Sequence, residues 1–288
     1  MQAVTLKTTD KTQIQGYWFT PNHSDNMLIK GKIVIASAMG VSQRYYQPVA
    51  KWLTEQGFCV LTFDCNGMGE SKDRHLKEYQ CDILDWVKQD YSAALKFVIN
   101  QDCGAPIYWL GHSLGGQVFP LVENIQKVNK VITVSSGTGY WKRNAPALRN
   151  KAPLLWYFLL PLTTALLGYF PGKKLGIVGD MPKQVMLQWR RWCLHPDYCV
   201  GVESESVKEK FLTIDIPLVS ITFSDDEMLS ATNMQDLHAL FGHQNKAIKN
   251  YHPQDMGEKR IGHLGFFREK FKENLWPKLL LNELNFKS

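Results

Sequence analysis

The residues Gly-His-Ser-Leu-Gly at 111–115 place Ser113 between two glycines in a G-x-S-x-G pattern. Apolar residues at 107–110 predict a buried strand before it, and an apolar stretch from Leu114 to Ile125 predicts a helix after it. A strand-to-helix turn of this kind is a nucleophile elbow, which holds the serine in a strained conformation with its hydroxyl exposed. The glycines leave room for so tight a turn. We therefore predict that Ser113 is a nucleophile.

A serine hydroxyl is a weak nucleophile that needs a base, and the base needs an acid to orient it. After an elbow of this type the acid and then the base follow along the chain. The turn after a predicted strand at 216–223 carries Asp225, Asp226 and Glu227, one of which could cap the next helix. The spacing to the following apolar residues favours Asp226 as the acid, with Asp225 as the alternative.

The base should be a histidine beyond that turn. His263 follows the last predicted strand in a glycine-flanked loop before the final helix, and we predict that it is the base. His238 lies in a predicted helix and His243 in the loop after it, so both are predicted at the surface, while His252 ends the last strand. His112 is excluded because consecutive side chains at an elbow point in different directions.

Acyl transfer also needs two backbone N–H groups to stabilise an oxyanion. The residue after the nucleophile, Leu114, should supply one of them. The loop after the predicted strand at 32–36 should supply the other, and there Met39 is favoured over Ala38.

Short apolar strands alternate with helical patterns through most of the chain. This alternation predicts an α/β fold with a mostly parallel, doubly wound sheet. The predicted strands are 12–19, 32–36, 59–63, 107–110, 130–134, 216–223 and 246–251, and the predicted helices are 45–56, 91–99, 231–240 and 266–284.

The alternation stops between about 137 and 211, where strand signals are missing and Trp, Leu and Pro are frequent. We interpret this segment as a helical cap inserted into one core domain, which comprises residues 1–136 and 212–288. A membrane span at 153–170 is rejected, because one crossing would place Ser113 and His263 on opposite sides of the membrane. Pro161 is expected to divide this stretch into two short helices packed on the core.

The same stretch could also line an acyl pocket or contact a membrane surface. Trp156 and Phe158 are the predicted pocket residues. The basic residues around the stretch fit contact with a membrane surface and fit solvated helix ends equally well; they are Lys142, Arg143, Arg149, Lys151, Lys173 and Lys174.

The composition of the chain limits the partners, metal sites and cellular location that we expect. The net charge is +6 and the pI about 8.9, but Lys and Arg are scattered, which argues against nucleic-acid binding. The six cysteines form no CxxC pair and no metal-ligand spacing, so we expect reduced thiols, no metal and a cytoplasmic location. The N-terminus has no signal-peptide pattern.

Several further segments of the sequence resemble motifs of a known protein family. The sequence Asp-Cys-Asn-Gly-Met-Gly-Glu-Ser at 64–71 is similar to the D-x-R-G-x-G-x-S turn of the α/β-hydrolase superfamily, with Asn66 in place of arginine. Residues 224–226, 261–267 and the cap sequence 176–198 resemble bacterial predicted α/β hydrolases of the serine aminopeptidase and monoacylglycerol lipase-like group. One departure is Ser37-Ala38, where many relatives have His-Gly.

The resemblance and the predicted site together imply a serine hydrolase without a cofactor. Its expected substrate is a small ester or other acyl compound, cleaved through an acyl-enzyme as in carboxylesterases and lipases. An acyltransferase or a peptidase with the same three residues is an alternative. A non-catalytic binding protein on the same fold is an alternative of another class.

Overall fold

The computed structural model describes residues 1–21, 28–101, 103–242 and 244–284 of the 288-residue chain, so His243 lies outside the described residues. Its main feature is an eight-stranded sheet, in the order β1 (Gln2–Lys7), β2 (Gln13–Phe19), β4 (Phe58–Phe63), β3 (Gly31–Ala36), β5 (Ile107–His112), β6 (Lys130–Val134), β9 (Leu218–Phe223), β10 (Lys246–Tyr251). Pairs β1–β2 and β2–β4 are antiparallel and the other neighbours are parallel. The predicted α/β fold with a mostly parallel sheet is confirmed.

The strands are β1 (Gln2–Lys7), β2 (Gln13–Phe19), β3 (Gly31–Ala36), β4 (Phe58–Phe63), β5 (Ile107–His112), β6 (Lys130–Val134), β7 (Tyr169–Phe170), β8 (Met181–Pro182), β9 (Leu218–Phe223) and β10 (Lys246–Tyr251). The helices are α1 (Gln47–Glu55), α2 (83–99), α3 (Leu114–Gln117), α4 (Pro146–Arg149), α5 (152–167), α6 (Gly172–Leu175), α7 (Lys183–Leu194), α8 (Glu205–Thr213), α9 (Ala231–Leu240) and α10 (276–284).

Side chains of the central strands alternate between two apolar clusters, one on each face of the sheet. In β3, Ile33 and Ile35 face the cluster that contains α1 and α10, while Val34 and Ala36 face the cluster that contains α2. Both sets are fully buried, as expected for a parallel strand covered by helices on both sides. The site loops therefore rest on a rigid, two-sided core.

Two predicted helices are shorter in the structure. The helix after Ser113 ends at Gln117, and the predicted remainder to Ile125 forms short 3-10 turns. Pro120 has no N–H to continue the helix, which explains the early end. The final helix begins near Trp276 rather than Phe266, with Pro277 in its first turn, where a missing N–H costs little.

The apolar stretch of the cap forms one helix, α5, and the prediction of two short helices is wrong. The helix continues through Pro161 because a wider π-type turn, Leu155–Leu159, immediately precedes the proline. The hydroxyl of Thr164 also donates to the Leu160 carbonyl at 2.7 Å. Neither α5 nor another helix of the described part of the chain is long and apolar enough to cross a bilayer.

The predicted end of the cap, residue 211, lies inside α8. The ring of Phe211 stacks on Phe241 at 5.8 Å between centroids, at the end of core helix α9. Because α8 packs on the core in this way, we propose that the insertion ends before Glu205 and that the core resumes there.

His238 is buried, although its helix pattern predicts it at the surface. Its Nε2 lies 2.6 Å from Ser220 Oγ on the neighbouring strand β9. Burial lowers the pKa of His238 to about 4, so the ring is neutral at physiological pH. Its role in the structure is to pack α9 on the sheet.

Candidate active site

The turn between β5 and α3 has the tight geometry predicted for an elbow. Ser113 has φ 49° and ψ −112°, which confirms the expected strained conformation. A Cβ at position 111 would lie 2.5 Å from the Gly115 carbonyl oxygen, and one at position 115 would lie 2.2 Å from the Ala36 carbonyl oxygen. Side chains at these glycines would therefore prevent the turn from forming.

Three of the predicted site residues form a hydrogen-bonded chain. Ser113 Oγ lies 3.1 Å from His263 Nε2, and His263 Nδ1 lies 2.8 Å from Asp226 Oδ2. All three side chains are buried. Since the carboxylate accepts, Nδ1 carries the ring proton and the lone pair of Nε2 faces the serine hydroxyl. The geometry allows His263 to take the proton of Ser113.

Asp225 does not contact the imidazole. Its carboxylate accepts from the N–H groups of Ile261 at 2.8 Å and Gly262 at 3.1 Å. Asp226 uses its second oxygen, Oδ1, to accept from the backbone N–H groups of Met228 and Leu229. The geometry therefore places Asp226, and not Asp225, beside the ring of His263.

Glu227 also holds the loop that carries His263. Its carboxylate accepts from the His263 N–H at 3.1 Å and lies 3.5 Å from Arg260. Gly262 has φ 68°, and a Cβ there would come within 2.6 Å of the Glu227 carboxylate. None of the three acids caps α9, because Ser230 forms the capping box with Asn233. Asp225 and Glu227 instead accept from the backbone of the His263 loop, and Asp226 accepts from the His263 ring.

The two predicted oxyanion donors are available. In the part of the chain that the structure describes, neither the Met39 N–H nor the Leu114 N–H donates a hydrogen bond. The N–H of Ala38, the alternative donor, is engaged with the Tyr46 hydroxyl at 2.9 Å. The structure therefore favours Met39 over Ala38.

Tyr46 and His112 connect the predicted oxyanion loop to the loop of His263, and no sequence motif points to Tyr46. The Tyr46 hydroxyl lies 2.8 Å from His112 Nδ1, and His112 Nε2 lies 3.0 Å from the His263 carbonyl oxygen. A carbonyl only accepts, so Nε2 carries the proton and Nδ1 accepts from Tyr46. Burial, followed by the nearby His263, lowers the pKa of His112 to about 3, so this ring stays neutral.

Ser113 and His263 open onto a cavity of about 440 Å³. Its walls are mainly apolar and include Met39, Leu148 and Trp156. A larger groove of about 520 Å³ lies elsewhere, and none of the predicted site residues lines it.

The structure separates the two predicted pocket residues. Trp156 lines the cavity and is only 4% exposed. Phe158 is 67% exposed and does not line the cavity. Two residues along a helix correspond to about 200° of rotation, so the two side chains leave α5 in nearly opposite directions. The prediction of Phe158 as a pocket residue is therefore not supported.

No group of three or more His, Cys, Asp or Glu side chains in the described ranges has the arrangement of a metal site. None of the six cysteines is joined in a disulfide in the structure, and four of them are buried. The predicted site groups that the structure brings together are the hydroxyl of Ser113, the imidazole of His263 and the carboxylate of Asp226.

Solved structures with the same fold are numerous. The chain is similar to a soluble variant of monoglyceride lipase from Saccharomyces cerevisiae, with a TM-score of 0.70, 13% identity, and coverage of 99% of this chain and 96% of that chain. It is also similar to the Pyrococcus furiosus esterase PF2001, with a TM-score of 0.61, 15% identity, and coverage of 99% and 91%. At such identities the likeness shows the fold alone.

A monoacylglycerol lipase from Paleococcus ferrophilus aligns similarly, with a TM-score of 0.59, 15% identity, and coverage of 94% of this chain and 98% of that chain. No curated protein sequence matches the chain. The family model described as "Serine aminopeptidase, S33" matches residues 28–175, just over half of the chain, and this range includes the elbow. The chain therefore belongs to the S33 serine aminopeptidase family, within the α/β-hydrolase superfamily.

Proposed function

We propose that this protein is a serine hydrolase that cleaves carboxylic esters through an acyl-enzyme. The observation that carries the proposal is the hydrogen-bonded chain from Asp226 through His263 to Ser113, at the foot of an apolar cavity. A buried nucleophile, base and orienting acid in this order are the requirements of acyl transfer by a serine.

In the first half of the reaction, His263 Nε2 takes the proton of Ser113 as Oγ bonds to the substrate carbonyl carbon. The carbonyl π electrons move to oxygen, and the N–H groups of Met39 and Leu114 stabilise the resulting oxyanion. When the tetrahedral adduct collapses, the bond to the leaving alcohol breaks and His263 gives that alcohol its proton. Asp226 stabilises the imidazolium throughout.

In the second half, water takes the place of the alcohol. His263 removes one proton from water while the water oxygen bonds to the acyl carbon, and the bond to Ser113 Oγ then breaks. The proton returns to Oγ, and a carboxylic acid is released. The same groups thus act twice, once toward the alcohol and once toward water.

The cavity favours an ester over an N-terminal peptide. An aminopeptidase must hold the charged α-amino group of its substrate, which a carboxylate does best. No Asp or Glu is among the described residues that line the cavity, and its charged side chain, Lys173, would repel an ammonium group. The apolar walls instead suit a hydrocarbon acyl chain.

Ser113→Ala should abolish hydrolysis of p-nitrophenyl butyrate and labelling by a fluorophosphonate. From triads in other enzymes we expect kcat to fall by roughly 10⁴-fold or more. Ser224→Ala, which removes an exposed serine one residue before Asp225, is the control and should keep activity and labelling.

Retained activity in Ser113→Ala would rule out the mechanism, and a wild-type protein that does not label would favour a binding protein. Turnover of aminoacyl anilides faster than esters would favour a peptidase. Ester formation with added alcohols, in preference to hydrolysis, would favour an acyltransferase.

A further inference from the structure

Helix α5 exposes a line of large apolar side chains along one face. Leu154, Phe158, Leu162 and Leu166 recur at every fourth residue, and their exposures are 57%, 67%, 57% and 74%. This spacing aligns side chains on one side of a helix. We call these four residues the apolar strip. Tyr157 and Leu167 are also exposed beside it.

The strip is not the face that holds the helix on the protein. That task belongs to Leu155, Trp156 and Leu160, which are buried in the core cluster. The helix is therefore apolar on two sides, and within the described residues only one of them is covered. Contiguous exposed apolar surface of this kind marks an interaction site.

The surroundings of the strip are strongly basic. Residues 137–179 contain six Lys or Arg and no Asp or Glu, whereas the whole chain has a net charge of +6. All six basic side chains are exposed. Arg143 pairs with Asp236 at 2.5 Å, and the side chains of the other five form no ion pair among the described residues, although the backbone N–H of Lys173 donates to Asp180 at 3.0 Å. These five are Lys142, Arg149, Lys151, Lys173 and Lys174.

We propose that the apolar strip and these five basic residues dock the protein on an anionic lipid bilayer. An amphipathic helix with aromatic and leucine side chains inserts at the boundary of headgroups and acyl chains, and flanking cations attract anionic lipid. Charge argues against a second copy as the occupant, because symmetric pairing would bring two basic surfaces together.

The strip lies on the same helix that forms part of the cavity wall. Leu155 and Trp156, which lie between the strip residues Leu154 and Phe158 in sequence, line the cavity from the buried side of α5, and the exposed residues Lys173 and Ile177 also line it. A bilayer seated on the strip would therefore contact the outer side of a helix whose inner side forms part of the wall of the cavity at Ser113.

Co-sedimentation with lipid vesicles tests the proposal. The protein should bind vesicles of phosphatidylcholine with phosphatidylglycerol as a minor component, and bind phosphatidylcholine alone far more weakly. The variant F158S/L162S/L166S should lose roughly ten-fold or more in affinity. The variant R149Q/K151Q/K174Q should lose affinity and show a weaker dependence on salt.

A matched control removes exposed apolar side chains elsewhere. The variant L28S/L212S/I248S changes three residues that are 85%, 51% and 37% exposed, and it should bind like the wild type. Circular dichroism confirms that each variant is folded. Binding is measured in Ser113→Ala as well, so the result is independent of catalysis.

The proposal would be overturned if the protein did not bind the anionic vesicles. It would also be overturned if the strip variant and the control variant lost the same affinity for them. A dimer in light scattering that the strip variant converts to a monomer, without vesicle binding, would assign the strip to contact between copies instead. Any of these outcomes would contradict docking on a bilayer but would not bear on the proposed ester hydrolysis. Conversely, a wild-type protein that binds vesicles but is inactive would contradict the proposed hydrolysis and not the docking.

Discussion

Asp225, Asp226 and Glu227 are chemically alike, but their neighbours give them different tasks. Asp225 and Glu227 accept from backbone N–H groups of the His263 loop, whereas Asp226 accepts from the ring. A carboxylate that binds only backbone fixes the position of the loop. A carboxylate that binds Nδ1 also selects the tautomer in which Nε2 can act as a base.

Asp226→Asn should therefore lower kcat far more than Asp225→Asn. An asparagine at 226 can present an N–H to Nδ1 and favour the wrong tautomer, and we expect a loss of roughly 10³- to 10⁴-fold. Asp225→Asn weakens two hydrogen bonds to backbone, so we expect a loss of less than about ten-fold and a lower Tm. Steady-state kinetics with p-nitrophenyl butyrate measure both, and the opposite ranking would assign the acid to Asp225.

At the residue scale the sequence could identify Ser113 and His263 because glycines mark the turns that present them. It could only rank Asp226 above Asp225, because adjacent residues in a loop have no fixed direction. Tyr46 could not be found at all. Its link to His112 joins residues 66 positions apart, and only the folded sheet brings them together.

At the scale of elements, helix α5 has one face toward the cavity and one apolar face toward solvent. Trp156 forms part of the cavity wall, and Phe158 projects to solvent. The sequence showed that this stretch was too apolar for an ordinary surface helix, but it did not show which residues faced the cavity. The π-type turn at Leu155–Leu159 shifts the helix phase, and neither its presence nor its effect follows from a regular helical pattern.

For the wild type we expect kcat/KM to rise with acyl length from acetyl to hexanoyl p-nitrophenyl esters. Each CH₂ buried in the cavity can add up to roughly 0.8 kcal/mol. Trp156→Ala removes part of the wall and should flatten this rise more than it lowers acetyl ester turnover.

Phe158→Ala is the matched aromatic control, and it should leave the profile unchanged for esters in free solution. A flat or falling profile in the wild type would show that the cavity does not hold an acyl chain. Equal effects of the two variants would place Phe158 in the cavity after all.

At the scale of the whole molecule, the sheet and the helices that cover it are the features that the sequence predicted best. Buried runs such as β3 are apolar on both faces, and that pattern is specific to parallel strands under helices. The cavity could not be predicted, since its walls come from loops after β3, β5, β9 and β10 and from four separate parts of the cap.

The stability of the whole molecule should depend on Asp90, a buried carboxyl in α2. Its Oδ2 accepts from the Asn66 N–H, while Oδ1 has no hydrogen-bond partner within the described residues. Burial raises the pKa of Asp90 to about 7. The folded state thus holds the proton more tightly than the unfolded chain, so stability falls as pH rises from the unfolded pKa toward the folded one.

Asp90→Asn should remove this penalty, because the amide is neutral and its oxygen can still accept from Asn66. At about pH 8 we expect the free energy of unfolding to rise by on the order of 2 kcal/mol, with little change at about pH 4. Urea denaturation at both pH values measures the difference. Asp255→Asn, at an exposed carboxyl, is the control, and an equal effect of the two variants would contradict the argument.

The hydrogen bonds through Tyr46 and His112 have a consequence for how this protein can evolve. They join the loop after β3, the elbow and the His263 loop, and none of these segments belongs to the cap. The groups predicted to react are thus aligned by segments of the predicted core, and the predicted insertion can change in sequence without breaking these hydrogen bonds. We therefore expect that exchanging the predicted insertion for that of a relative would change the substrate preference and leave the alignment of Ser113, His263 and Asp226 unchanged.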